Sequence, residues 1–233
     1  MMADHNHIRG LHHVTAIASG AQANIDFYTR VLGLRLVKRT VNFDAPDTYH
    51  FYYGDSGGSP GSLLTFFPFE DAAAGRIGTG MAETTAFAIP EAALEAWMSR
   101  LAEEGLDFEG PLTRFGAQTV GFRDPDGLRI NLVAEPGLHM DTDSAAFDHT
   151  VPAHEAIRGL HSVALCVEAP ERTARLLTAT FGYEACGDEA GRQRFRRPRR
   201  RPSRLCGPAV SAGTGARPDG RGHRPPRRLS RAR

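Results

Sequence analysis

The feature that most limits the fold of this sequence is a repeat of its opening segment. Residues 9–12 (Arg-Gly-Leu-His) return as residues 158–161, 149 positions later. Solenoid repeats have periods of roughly 20–50 residues, so this distance indicates duplication of a domain-sized piece. The two copies differ at one chemically important place, since His13 in the first copy is Ser162 in the second.

Hydrophobic periodicity predicts the same order of elements after each start, and we call the resulting segments units one, two and three. Unit one is predicted to contain a strand, a helix that stops at Gly33, and three strands. Unit two repeats this order, with an Asp-Pro-Asp-Gly turn between its last two strands. The predicted ranges are 12–18, 21–32, 35–43, 49–53 and 62–67 in unit one, 84–89, 91–105, 115–122 and 128–133 in unit two, and 160 onward, 170–181 and 192–195 in unit three.

These elements predict an α+β fold built from repeated βαβββ units, with one complete two-unit domain and a partial second one. We expect units one and two to pair as the first domain (residues 9–134), followed by a linker (135–157). Unit three (158–195) is expected to be an incomplete, unpaired second domain. Its exposed strand edges would favour self-association.

The formal net charge of +1 conceals two opposed parts of the chain. Residues 196–233 carry 13 Arg and one acid, while the first 195 residues have a net charge of −11. This tail is rich in Arg and Pro and poor in aliphatic residues, so it is predicted to be disordered. We interpret it as translation in a shifted reading frame that truncated the original protein.

Composition also predicts the partners and the compartment. The tail lacks Lys and aromatic residues for base stacking, so no nucleic-acid partner is expected. No apolar stretch is long enough to span a membrane, and the first residues lack the apolar core of a signal peptide. We therefore expect a cytoplasmic protein without a membrane partner.

Several motifs within the βαβββ units resemble a known family. Residues 27–34 (Phe-Tyr-Thr-Arg-Val-Leu-Gly-Leu), after a strand that carries histidine, resemble the vicinal oxygen chelate superfamily of glyoxalases, bleomycin-resistance proteins and ring-cleaving dioxygenases. Residues 36–44, 49–55 and 114–116 are similar to its hydroquinone-cleaving branch. The resemblance implies a cup-shaped sheet, a small hydroquinone- or catechol-like aromatic substrate, and Fe(II) or Mn(II) as cofactor.

The resemblance also implies which residues act. In that branch two His and one Glu hold the metal, which leaves positions open for substrate and dioxygen. His13 corresponds to the first ligand, and His12 and Thr15 correspond to catalytic positions around the substrate. The other two ligands belong to a fourth unit, and unit two offers only Thr84, Thr85 and Asn131 at the matching places. We therefore expect weak or absent metal binding and an inactive chain.

Two other functions stay open. The first is metal-free binding of a small molecule, as in bleomycin-resistance proteins, for which the acidic body would favour a cationic ligand. The second is a glyoxalase-like isomerase, which the motifs at 38–40 and 114–116 disfavour. His50 is interpreted either as a packing residue or as a neighbour of the pocket. Lys38 would either meet an anionic substrate oxygen or lie exposed on its strand.

Overall fold

Three βαβββ units follow one another along the chain, which confirms the predicted fold class. The computed structural model describes residue 8, residues 10–138 and 150–197, and the backbone of a strand at 209–213. Unit one contains β1 (His13–Ala18), α1 (Ala21–Asp26) continued by a π-helical turn (Phe27–Val31), β2 (Arg35–Val41), β3 (Tyr49–Gly54) and β4 (Leu63–Pro68). Unit two contains β5 (Met81–Pro90), a 3-10 turn (Glu91–Ala93), α2 (Leu94–Glu103), β6 (Phe108–Arg114), β7 (Ala117–Arg123) and β8 (Arg129–Glu135). Unit three contains β9 (Leu160–Cys166), α3 (Pro170–Arg175) with a π-helical turn (Leu176–Thr180), β10 (Glu184–Glu189), β11 (Arg192–Arg196) and β12 (Ala209–Gly213).

The helix of unit one ends at Gly33, as its sequence predicts. Gly33 has a φ of +64°, a left-handed conformation that glycine adopts without steric cost. A Cβ at this position would lie 2.6 Å from Cγ2 of Val151, so the segment after unit two packs directly on the turn. Val151 and Ile157 are both buried. The described end of the predicted linker therefore contributes Val151, Ala156 and Ile157 to the core, while residues 139–149 lie outside the described residues.

Strand β6 was not predicted from the sequence, because its residues do not follow the pattern of a half-buried strand. Most of its side chains are exposed, and it lies at one end of its sheet. Its pairing with β7 shifts register between Glu109 and Leu112, around Gly110 and Pro111. Proline lacks an amide hydrogen and is tolerated at such an edge or bulge, where the local sequence carries no strand signal.

The pairing of the units differs from the one expected. Unit one alone forms a four-stranded sheet in the order β1-β4-β3-β2. Units two and three share an eight-stranded sheet, β10-β11-β12-β9-β5-β8-β7-β6, joined by antiparallel pairing of β5 with β9. Unit three is therefore not an unpaired fragment, because its first strand completes the sheet of unit two. The domain boundaries proposed from the sequence stay a prediction.

Unit three also has more strands than expected. The sequence predicted one strand after its helix, whereas β10, β11 and β12 are all present. In each unit the first and last strands are parallel neighbours, and β12 takes this place beside β9. The prediction of a disordered tail is therefore wrong for residues 209–213, a short stretch of small residues free of Arg. Residues 198–208 and 214–233 lie outside the described residues.

The main core lies between the two sheets, where the helices of units one and two pack together. Trp97 of α2 and Tyr28 of the first π-helical turn are almost fully buried there. The Tyr28 hydroxyl donates a hydrogen bond of 2.8 Å to Oδ2 of Asp124, in the turn between β7 and β8. The Asp-Pro-Asp-Gly turn thus forms as predicted, and it also fastens unit two to unit one. None of the helices in the described parts of the chain is long and apolar enough to cross a membrane.

Candidate active site

The first sheet has one face on the core and one open face. Exposure alternates along β1, so that His13, Thr15 and Ile17 lie on the open face and Val14 and Ala16 turn toward the helices. Ile17 is 61% exposed, which is unusual for a large aliphatic side chain in a strand. The predicted site residues therefore lie on a surface that the described residues leave uncovered.

The register of the sheet brings further side chains onto this open face. β1 runs parallel to β4 with Thr15 opposite Thr65, and Tyr52 of β3 lies opposite Thr65. Lys38 of β2 lies opposite Tyr52, and His50 is two residues before Tyr52 on the same strand. Since directly paired residues share a face of a sheet, the open face gathers polar groups from all four strands.

His12 and His13 contact each other at the start of β1. Their Nδ1 atoms are 3.1 Å apart, and their rings meet edge to face at an interplanar angle of 84°. A hydrogen bond between two neutral imidazoles requires one Nδ1 to carry a proton and the other to accept it. When His13 is the donor, its Nε2 carries a free lone pair, the state in which a histidine binds a metal.

Thr15 is two residues after His13 in β1, so it lies on the same face of the sheet. Its hydroxyl is 2.9 Å from the hydroxyl of Thr65, so the two side chains form a hydrogen bond across β1 and β4. Thr65 is fully buried, whereas Thr15 is exposed. The accessible hydroxyl beside His13 is therefore that of Thr15, and its hydrogen bond to the buried Thr65 hydroxyl holds it in place.

His50 is both a packing residue and a neighbour of the site. Its ring centroid lies 4.1 Å from that of Tyr52 and 4.0 Å from that of Phe67. The Tyr52 hydroxyl is 2.9 Å from His50 Nδ1, while His50 Nε2 is buried and has no hydrogen-bond partner among the described residues. Burial lowers the pKa of His50, with smaller contributions from the charges of His13 and Lys38. His50 is therefore a neutral imidazole at pH 7, with one nitrogen unused by the protein.

Lys38 and Tyr52 form the opposite side of the open face. The Lys38 ammonium lies 5.4 Å from the centroid of the Tyr52 ring, within the range of a cation–π interaction. Lys38 is exposed, so its charge stays available to an anionic oxygen. Sequence reasoning named His50 and Lys38 as ambiguous and passed over Tyr52, because their proximity depends on the register of β2 and β3.

The described residues do not fit a mononuclear iron or manganese centre. A centre of this type takes two imidazoles and a carboxylate on one face of the metal. Among the described residues, no group of three or more His, Cys, Asp or Glu side chains could hold a metal ion. His13 is thus one candidate ligand without a fixed set around it.

The second sheet has a cavity at the equivalent place, but with other residues. Ser162 of β9 occupies the position that His13 has in β1, and Thr84 and Asn131 line the same cavity. Thr85 is buried and lies on the opposite side of β5. Neutral hydroxyl and amide groups therefore occupy the positions where metal ligands would be needed. Thr84 and Asn131 lie there as predicted, whereas Thr85, which was also predicted there, does not.

Comparison with known proteins agrees with this architecture. The family model of the Glyoxalase/Bleomycin resistance protein/Dioxygenase superfamily matches residues 10–132. The ring-cleaving dioxygenases MhqO and MhqE, so named in Bacillus subtilis (strain 168), are each 43% identical to this chain, over 80% and 77% of its length and 59% and 58% of their own. The chlorohydroquinone/hydroquinone 1,2-dioxygenase of Sphingobium indicum is 30% identical over 84% of this chain and 61% of its own. The chain thus spans about three fifths of the length of the curated relatives it matches.

Solved structures give the same result. A crystal structure from Bacillus subtilis, titled as a dioxygenase, superposes with a TM-score of 0.81 and 37% identity, covering 93% of this chain and 66% of its own. A glyoxalase I mutant from Zea mays superposes with a TM-score of 0.62 at 14% identity, over 89% of this chain and 69% of its own, a likeness of fold alone. The repeated βαβββ units, the family model and the relatives together show that this chain belongs to the glyoxalase, bleomycin-resistance and dioxygenase superfamily, the vicinal oxygen chelate proteins.

Proposed function

We propose that the open face of the first sheet is the substrate side of a ring-cleaving dioxygenase for hydroquinone- or catechol-like aromatics. The observation that carries this proposal is the gathering of His13 and Thr15 beside His50 and Tyr52 on one open face, with His12 in contact with His13. The names of the relatives supply the reaction class. In an intact enzyme of this kind, His13 would be a ligand of Fe(II) or Mn(II), and His12 and Thr15 would be catalytic neighbours of the substrate.

The side chains on this face suit a phenolic ring. The exposed Ile17 and the half-buried Phe67 provide an apolar surface, and parallel pairing places them opposite each other. Lys38 would stabilise a phenolate oxygen by its charge. His50 Nε2, which is buried and without a partner, would hydrogen-bond a phenolic hydroxyl. These groups would bind and orient an aromatic diol, and His12 Nδ1 would accept the proton on His13 Nδ1, which leaves the lone pair of His13 Nε2 free.

The described residues alone do not complete a metal site, so we propose that this chain binds Fe(II) or Mn(II) weakly and does not cleave rings. One histidine contributes too little to retain a labile divalent ion, since a catalytic centre needs about three fixed protein ligands. Neither Ser162 nor Thr84 of the second sheet supplies a replacement.

Anaerobic reconstitution with Fe(II) tests this proposal. After removal of free metal, bound iron per chain should be far below one, and a substituted hydroquinone should cause no oxygen uptake. The same hydroquinone should nevertheless bind in an anaerobic calorimetric titration, and Lys38→Gln should weaken it, whereas Arg76→Gln, in an exposed loop, should not. Absence of any hydroquinone binding would contradict the assignment of the face.

The opposite metal result is equally informative. If the chain retained near-stoichiometric iron, and His13→Ala abolished it, then the remaining ligands would have to come from residues outside the described ranges. Ring cleavage by that protein would contradict the proposed inactivity while supporting the proposed reaction class.

A metal-free binding function is favoured by a different part of the molecule. The cavity of the second sheet holds the polar side chains Thr84, Asn131 and Ser162 where ligands would stand, above an apolar floor. No comparable observation favours a glyoxalase-like isomerase.

A further inference from the structure

The eight-stranded sheet encloses a cavity on the side away from the main core. The cavity opens to solvent, and the space within it, including the solvent at its mouth, is about 590 Å³. Both units contribute, because β5, β7 and β8 come from unit two and β9 and β11 from unit three. The cavity exists only because unit two pairs with unit three.

The charge of this cavity is positive, although the first 195 residues are acidic overall. Arg114, Arg192 and Arg194 line it, and its lining contains no Asp or Glu. Arg192 is neutralised by Glu83, at 3.0 Å, a carboxylate that Arg129 also contacts. The cavity therefore does not suit the cationic ligand that the negative charge of residues 1–195 favours.

Arg114 and Arg194 keep their charge available. In the described parts of the chain, neither forms an ion pair with a carboxylate. The Arg194 guanidinium lies 5.5 Å from the centroid of the Phe115 ring, an arrangement that orients the side chain without neutralising it. Two guanidinium groups thus line the cavity without an ion-paired carboxylate among the described residues.

His161, a histidine that lines the cavity, offers Arg194 no hydrogen-bond acceptor. His161 Nε2 is 2.8 Å from Oε1 of Glu135, and since a carboxylate only accepts, this nitrogen carries the proton. Its contact of 3.4 Å with Arg194 therefore joins two donors and is not a hydrogen bond. The Ser162 hydroxyl, 2.8 Å away, then donates to His161 Nδ1. This satisfied chain leaves Arg194 to be met by something else.

The two hairpins that carry these arginines are fastened together at the rim. The backbone N–H of Phe115 donates to Oε2 of Glu189, which links the β6–β7 turn to the end of β10. A Cβ at Gly187 would lie 3.2 Å from the Phe115 ring, so the ring packs closely against this strand. The turn at Phe115, which has a φ of +48°, is therefore fixed at the mouth beside Arg114.

The floor of the cavity is apolar. Ala86, Ala117 and Val133 form a small buried cluster beneath the mouth. A ligand that fits both parts needs an anionic group at the rim and a compact apolar body below it. An inorganic anion would meet the arginines but leave the floor unused.

We propose that the cavity of the second sheet binds a small aromatic or aliphatic carboxylate. Arg114 and Arg194 would receive the carboxylate, and Phe115 and the alanine–valine floor would contact the body. This binding site requires neither a metal nor the open face of the first sheet, so it stands independently of the proposed ring cleavage.

Isothermal titration of the full chain with benzoate at low salt tests the proposal. Benzoate should bind, while benzamide, which has the same shape without the charge, should bind at least roughly tenfold more weakly, because hydrogen bonds to charged groups are the stronger ones. Inorganic phosphate should also bind more weakly than benzoate. Equal binding of benzamide, or binding of phosphate without benzoate, would overturn the proposal.

Matched variants locate the binding. Arg114 is exposed at the end of β6, so Arg114→Gln should fold normally. It should weaken benzoate binding by roughly tenfold, as should Arg194→Gln. Arg76→Gln removes the same charge from an exposed loop and should leave the affinity unchanged. Circular dichroism confirms the fold of each variant. Full benzoate affinity in both Arg114→Gln and Arg194→Gln, or an equal loss in Arg76→Gln, would refute the site.

Discussion

Removing the Tyr28 hydroxyl should weaken the junction between units one and two more than removing an equally buried hydroxyl elsewhere. Tyr28 is fully buried, and its hydroxyl donates to Oδ2 of Asp124 at 2.8 Å. Oδ1 of the same carboxylate accepts from the backbone N–H groups of Asp126 and Leu128. In Tyr28→Phe, Oδ2 would therefore lose the one donor that the described residues provide.

The expected loss can be estimated from the kind of hydrogen bond. A hydrogen bond to a charged group contributes about 1.5–3 kcal/mol, and leaving a buried carboxylate oxygen unsatisfied adds to this. We expect Tyr28→Phe to lower the free energy of unfolding by about 2–3 kcal/mol at pH 7. Tyr53→Phe is the matched control, because Tyr53 is also fully buried and donates at 2.8 Å to the neutral Oδ1 of Asn24. It should cost about 1 kcal/mol.

The effect should depend on pH in a defined direction. Burial raises the pKa of Asp124, while the hydrogen bonds from Tyr28 and from backbone amides oppose the rise. The Tyr28 bond therefore favours the charged carboxylate, and its contribution should be present at neutral pH and lost as acidification protonates Asp124. Burial of Asp124 changes stability in the opposite direction. Because burial raises the pKa of Asp124 in the folded protein, the free energy of unfolding should fall as pH rises from the unfolded pKa to that raised folded pKa.

Urea denaturation of the three proteins at pH 7 and at acidic pH measures both effects. Tyr28→Phe should approach the wild type at the lower pH, and Tyr53→Phe should keep a constant difference. A cost for Tyr28→Phe no greater than that for Tyr53→Phe at pH 7 would refute the reasoning, because the charged acceptor would then contribute nothing extra.

Two further substitutions test local features. Gly33→Ala should destabilise the chain by about 1–3 kcal/mol, since it combines a left-handed backbone with a 2.6 Å clash against Val151. Gly20→Ala, with no atom within 4 Å of the new Cβ, should change the urea midpoint little. Burial lowers the pKa of His50 in the folded protein below 6.5, so the wild type should lose stability as pH falls from 6.5 to that lowered folded pKa. His50→Phe should therefore lose less stability than the wild type between pH 7 and 5. An unchanged pH profile would mean that His50 is not the group responsible.

Local sequence patterns were sufficient to predict the βαβββ units but not how they associate. The helix stop at Gly33 and the turn at 124–127 depend on nearby residues and were predicted correctly. β6 was missed because its exposed residues and Pro111 lack strand periodicity. β12 was missed because five small residues between Arg-rich segments resemble a loop. Pairing of β5 with β9 depends on contacts between distant residues, about which periodicity carries no information.

The candidate site divides in the same way. The roles of His12, His13 and Thr15 stay a prediction from the resemblance; His13 and Thr15 share the open face of β1, and His12 contacts His13. The motif at 114–116 marked Arg114 in the sequence, but its juxtaposition with Arg194 depends on the association of two units, and the place of Tyr52 depends on strand register. Resemblance identified the residues that the family shares, whereas the second cavity depends on residues that only the fold brings together.

The helical layer between the two sheets has an evolutionary consequence. Each sheet presents its ligand-facing surface on the side away from that layer, so substitutions on one surface need not disturb packing beneath the other. The two surfaces accordingly carry different side chains, with His13 on the first strand of one sheet and Ser162, Arg114 and Arg194 around the cavity of the other. A molecule arranged in this way can be redesigned one surface at a time, with the shared layer of helices as a constant scaffold.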